Sequence, residues 1–66
     1  MDRHQFERVM VHIVDSIEDA GYDACEQIKA YVLTSDANYI TRKGRARDYI
    51  QKLDKSQIQK YLRKLR

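Results

Sequence analysis

Phe6-Glu7-Arg8-Val9-Met10-Val11-His12-Ile13-Val14-Asp15-Ser16-Ile17-Glu18-Asp19-Ala20-Gly21 is the stretch on which the reading of the fold turns. Phe6, Val9, Met10, Ile13, Ile17 and Ala20 recur at the spacing of one helix face, which predicts a helix of roughly four turns. Val11 and Val14 lie at or beyond the edge of that stripe. A second apolar edge predicts contact with more than one neighbour, another copy of the chain included. Gly21 supplies the left-handed backbone that stops a helix, directly after Ala20.

Downstream, the signals repeat on shorter segments. Asp23 reads as the N-cap of a second helix, answered by Glu26, with Ala24, Ile28, Tyr31 and Val32 on its apolar side. That helix fades at Thr34-Ser35-Asp36, whose side chains compete for backbone hydrogen bonds. Ala37-Asn38-Tyr39-Ile40 is too short for a helix and too apolar for water, so it reads as a buried connector with Tyr39 and Ile40 in the core. Thr41 is expected to cap a third helix carrying Ala46, Tyr49, Ile50 and Leu53. Asp54-Lys55-Ser56-Gln57 reads as a capping box, with Gln57 reaching back, that opens a fourth helix with Ile58, Tyr61, Leu62 and Leu65. Arg63, Lys64 and Arg66 oppose the dipole in its last turn. No alternating pattern of a strand occurs. The expectation is all-α: one domain over 1–66, a small bundle of about four short helices completed by homodimerisation.

Sixty-six residues place the chain near the lower limit for folding without disulfides or metal. A core of this size contributes only about 3–5 kcal/mol net, which is the physical reason to expect a second chain. No apolar run approaches the ~20 residues of a membrane-spanning helix, so no membrane insertion is expected. Nor does the charged N-terminus read as a secretory leader. The single cysteine, Cys25, cannot form an internal disulfide and points to a reducing, cytoplasmic setting. Charge is uneven: residues 1–41 carry a net −5 and residues 42–66 a net +8. Such asymmetry suits a polyanionic partner or head-to-tail complementarity between chains.

Catalytic and metal chemistry find little support. A chain this short seldom builds a pocket with a supporting shell. His4 and His12 are eight residues apart, too far along a helix to chelate together, and read as a frayed terminal residue and a surface residue. Cys25 sits among Asp23 and Glu26, which disfavour a thiolate. No enzyme, cofactor or metal is therefore expected. Tyr22, Tyr31, Tyr39, Tyr49 and Tyr61 suit an interface, Tyr31 and Tyr39 most of all, or pad a thin core. Arg42, Lys43, Arg45 and Arg47 form a candidate anion site at the start of a helix, or simply a solvated face. Thr41, beside those bases, and Ser35 are candidate phospho-acceptors among the five hydroxyl residues, with an unmodified helix cap as the alternative at Thr41.

Taken in order, Gly21-Tyr22-Asp23, Gln27-Ile28, Tyr31-Val32-Leu33-Thr34, Asp36-Ala37-Asn38-Tyr39-Ile40-Thr41, Ala46-Arg47 and Ile50 resemble the IreB family of small regulatory phosphoproteins. The resemblance covers about residues 9–62. It implies an all-helical cytoplasmic homodimer of Gram-positive bacteria, without enzymatic activity. It also implies a place downstream of a membrane Ser/Thr kinase with extracellular PASTA repeats, in cell-wall stress and antibiotic resistance. The motif residues Gly21, Tyr22, Gln27, Ile28, Tyr31, Asp36, Tyr39, Ile40, Thr41, Ala46, Arg47 and Ile50 become interface candidates by the same resemblance. Family members usually have proline where this chain has Ala24 and Ala37. They also carry a longer N-terminal arm bearing phosphorylated threonines, whereas here no hydroxyl residue precedes Ser16. The scaffold is thus expected to transfer and the arm's phospho-switch is not.

Two function classes follow. One is a non-enzymatic regulatory adaptor acting through protein contacts in a kinase-linked envelope-stress pathway. The other is a small basic nucleic-acid-binding module using residues 42–66, its third and fourth helices superficially like a helix-turn-helix.

Overall fold

The computed structural model describes residues 2–65. The first helix, α1 (Arg3–Asp19), begins where Asp2 turns from extended backbone and its Oδ1 accepts the Gln5 N–H at 2.8 Å. Its buried face is Phe6, Met10, Ile13, Ser16 and Ile17, the expected stripe with one hydroxyl added. At its end the Gly21 N–H donates to Glu18 O and the Tyr22 N–H to Ile17 O. This paired arrangement needs a left-handed residue between helix and loop, and Gly21 supplies it with φ +88°.

The second helix, α2 (Ala24–Thr34), is capped as expected by Asp23, whose carboxylate accepts the Glu26 N–H at 3.1 Å. Ala24, Ile28 and Tyr31 are its buried residues, and Ser35 closes it in the left-handed region at φ 60°. Ala37–Tyr39 forms one 3₁₀ turn capped by Asp36, which accepts the Asn38 N–H at 2.9 Å. Ile40 then drops into the core. After a second short turn at Lys43–Arg45 come α3 (Ala46–Gln51) and α4 (Lys55–Lys64).

Four α-helices, and no strand among the described residues, make the fold all-α. α3 packs chiefly on α1 and α4 chiefly on α2, while α1 and α2 touch each other. Met10, Ile13, Ile17, Ile28, Ile40, Ile50 and Ile58 are fully buried where these layers meet. Each such side chain contributes about 1.5–3 kcal/mol relative to exposure. At the rim, Phe6 and Tyr61 meet edge to face with centroids 6.2 Å apart. Glu7 lies 3.6 Å from both Arg3 and Lys64, exposed contacts that add little.

Several expectations are corrected. Tyr39 is not plugged into the core: it is half exposed, because the 3₁₀ turn sends only Ile40 inward. Thr41 does not cap α3. Its Oγ1 accepts the Lys43 N–H at 3.3 Å, and α3 starts five residues later, at Ala46. Gly44 and Arg45 intervene, both left-handed at φ 60°, and no helix can run through two such residues. His4 lies in the first turn of α1. Asp54 caps α4 through the Ser56 N–H at 2.7 Å, one residue earlier than a capping box requires. Among the described contacts, Gln57 does not reach back. Arg66 lies outside the described residues.

Candidate functional site

The loop from Asn38 to Arg47 is held by a small set of polar ties rather than by regular structure. Gln27, on α2, accepts the Thr41 N–H through its Oε1 at 3.1 Å. The Thr41 carbonyl accepts the Arg47 N–H at 3.1 Å. Arg47 turns back and donates its Nε–H to the Ile40 carbonyl at 2.9 Å. Ile40 is thus anchored by its buried side chain while its carbonyl is capped by a guanidinium. Lys43 reaches the C-terminal end of α1, its Nζ 3.3 Å from the Asp19 carbonyl, where an ammonium offsets the helix dipole.

These ties shape an open depression of about 340 Å³ lined by Tyr22, Gln27, Asn38, Tyr39, Ile40, Thr41, Arg42, Lys43 and Arg47. Residues that lie far apart in the chain therefore meet on one surface. Tyr22 and Tyr39 stand at the rim, 58% and 49% exposed. The lining contains three bases and no carboxylate. Arg45 does not join it. It borders a different hollow with Asp48 and Tyr49, so the four-base candidate anion site divides.

The remaining motif residues serve the scaffold. Gly21 terminates α1, and Asp36 caps the 3₁₀ turn. Ile28, Tyr31, Ala46 and Ile50 are buried in the core. Tyr31, expected at an interface, is covered within the chain instead, with the Lys55 ammonium 5.5 Å from its ring centroid. Ser35 is exposed and its Oγ is hydrogen-bonded by Lys55 Nζ. Among the described residues no three His, Cys, Asp or Glu side chains cluster as metal ligands.

Sequence reasoning missed the seat of the Lys43–Arg45 turn. The exposed His12 hydrogen-bonds Gly44 O at 2.7 Å and meets the Tyr49 ring at right angles, with centroids 5.5 Å apart. Ser16, one helical turn further along α1, is buried beneath the same glycine. A small hydroxyl inside an apolar stripe was the available signal.

α3 and α4 rest on different helices, so they do not form the mutually packed pair of a helix-turn-helix. The bases of α4 also point elsewhere: Lys60 and Lys64 border a separate cleft with Phe6, Glu7 and Tyr61. No described helix is long and apolar enough to cross a membrane.

Fold and surface together define a small all-helical protein that spends its distinctive polar residues on one donor-rich surface. Its sequence matches the family model of the IreB regulatory phosphoprotein over residues 1–65, and the chain belongs to that family. A regulatory role comes with the membership. No solved structure matches the chain.

Proposed function

We propose that the chain is a non-enzymatic adaptor of a Ser/Thr-kinase-linked envelope-stress pathway, working as a cytoplasmic homodimer that engages a protein partner. The observation that carries this reading is the placing of the exposed Tyr22 and Tyr39 beside the half-buried Gln27, Thr41 and Arg47 around one open hollow in a member of a regulatory family. Dimerisation is supported by Val11, an apolar side chain of α1 that is half exposed. A chain of this length gains stability by covering such a side chain with its twin.

Ser35 and Thr41 are the two candidate phospho-acceptors among the described residues, and their settings differ. Ser35 is exposed at the end of α2 beside the Lys55 ammonium, which can pair with the added charge. Thr41 has its amide, carbonyl and hydroxyl all engaged.

Sedimentation equilibrium over a concentration series tests the dimer, with Val11→Asp expected to give a folded monomer. Crosslinked capture of the native chain under envelope stress tests the adaptor role, and a kinase-pathway component should be recovered. A wild-type monomer at all concentrations, with no stress-dependent partner, would overturn the reading. Mass spectrometry of the same material locates any phosphate.

A further inference from the structure

We infer that the depression between α2 and the 38–47 loop is a phosphate-recognition site that takes a phosphoserine or phosphothreonine in an extended segment of a partner protein. The inference rests on the adaptor reading and specifies what the adaptor's surface reads. Three features carry it. Arg47 is already oriented: its Nε is bonded to the Ile40 carbonyl, and among the described residues its two terminal nitrogens donate to nothing in the chain. A guanidinium held in this way presents a fixed fork, the geometry that matches a phosphate with two parallel hydrogen bonds. Arg42 is exposed and, among the described residues, has neither a side-chain hydrogen bond nor an ion pair. Lys43 adds a second charge at the same edge.

The second feature is the missing counter-charge. The chain has ten acids, yet none lines this hollow. Lys43 is partly offset by the C-terminal end of α1, and the charges of Arg42 and Arg47 face no carboxylate in the lining. A phosphomonoester carries about −1.5 to −2 charges near neutral pH and several acceptor oxygens, which suits three bases better than a single carboxylate does.

The third feature is the rim. Tyr22 and Tyr39 offer two exposed aromatic faces on which the residues flanking a phosphorylated side chain can lie. A nucleic acid fits less well. Its repeating phosphates call for a continuous basic stripe, whereas Arg45, Lys60 and Lys64 border two other hollows, each of which also holds a carboxylate, Asp48 or Glu7.

The test is a titration of the isotope-labelled full chain, following backbone amides and arginine Nε–H signals. The probes are a phosphothreonine peptide of otherwise neutral residues, its unphosphorylated twin, inorganic phosphate and a short DNA duplex. The phosphopeptide should shift Thr41, Arg42, Lys43 and the Arg47 Nε–H, and bind at least about tenfold more tightly than its twin. Arg42→Ala and Arg47→Lys should each weaken it by about tenfold, the second because the fork is lost, while Lys60→Ala should leave it unchanged. The Arg42 side chain makes no hydrogen bond or ion pair among the described residues, and its backbone bond to the Arg45 N–H survives truncation, so its variant keeps the test sound if Arg47→Lys unfolds. Equal binding of the two peptides, equal losses in Lys60→Ala and Arg42→Ala, or tighter binding of the duplex with shifts spread along α4 would overturn the site. A chain that fails here but still captures its partner under stress would overturn the phosphate site alone and leave the adaptor reading standing.

Discussion

His12 Nε2 lies 2.7 Å from the carbonyl oxygen of Gly44, a residue 32 positions further along the chain. A carbonyl can only accept, so the His12 Nε2–H donates this bond. The bond fastens the loop that carries the basic surface to the middle of α1. The same glycine is pressed against Ser16: a Cβ built on it would fall 2.3 Å from Ser16 Oγ and 3.2 Å from His12 Nε2. Scaffold and loop are therefore pressed together at Gly44, where a side chain would collide with α1.

Gly44→Ala should be among the most damaging single changes. The left-handed φ of 60° costs an L side chain about 1–2 kcal/mol, and forcing a methyl against α1 adds roughly 1–3 kcal/mol. Denaturant unfolding should show the loss. Arg45→Gly, at the neighbouring left-handed residue, should instead be neutral or stabilising by up to about 1 kcal/mol. Equal stability of Gly44→Ala and wild type would show that the turn does not seat on α1 as described.

Ile13→Ala and Ile50→Ala each empty a fully buried position, one on α1 and one on α3. The expected cost of either is ~2–5 kcal/mol, comparable with the whole net stability of so small a core. Circular dichroism should find each variant largely unfolded at moderate temperature, or folded only at high concentration where self-association compensates.

Gln27→Ala removes the acceptor of the half-buried Thr41 amide. An orphaned N–H of this kind costs about 1–3 kcal/mol. Hydrogen exchange should localise the effect: protection is lost at Thr41 and Arg47 while the amides in the middle of α1 keep theirs. Uniform loss along the chain would mean that the loop is not an independently loosened unit.

Tyr61 gives the expected pH dependence. Burial against α1 raises the pKa of its phenol above the usual value of 10.0, and the carboxylates of Glu7 and Asp15 raise it further. The folded state therefore holds this proton more firmly than the unfolded chain does. Its contribution to stability is complete below about pH 10 and is lost as pH rises through the folded-state pKa. Tyr61→Phe should flatten the fall of Tm above pH 10 relative to wild type, and in a spectrophotometric titration the variant should lack the most alkaline tyrosine step.

The helices were legible because their causes are local. The stripe from Phe6 to Ile17, the stop at Gly21 and the cap at Asp23 depend on spacing and on single side chains. The expected helix from Thr41 failed for a reason that spacing does not carry. Gly44 and Arg45 are left-handed because Gly44 must sit on Ser16 and accept from His12, and that contact exists only once α1 is in place. Tyr39 failed in the same way, since a turn too short to read locally decided which of two adjacent apolar side chains faces inward.

For the candidate site the sequence alone determined the residue types: the motif positions, the run of bases and the surplus of tyrosine. It also determined the family, whose match spans residues 1–65. Only the tertiary structure decided which of those residues share a surface. It joined Tyr22 and Gln27 to Arg42 and Arg47, sent Arg45 elsewhere, and buried Tyr31 while leaving Tyr39 exposed. Secondary structure follows from interactions a few residues apart, which a linear chain displays. A surface assembled from α2 and a distant loop depends on the packing of α1 against α3 and α4 against α2, which it does not.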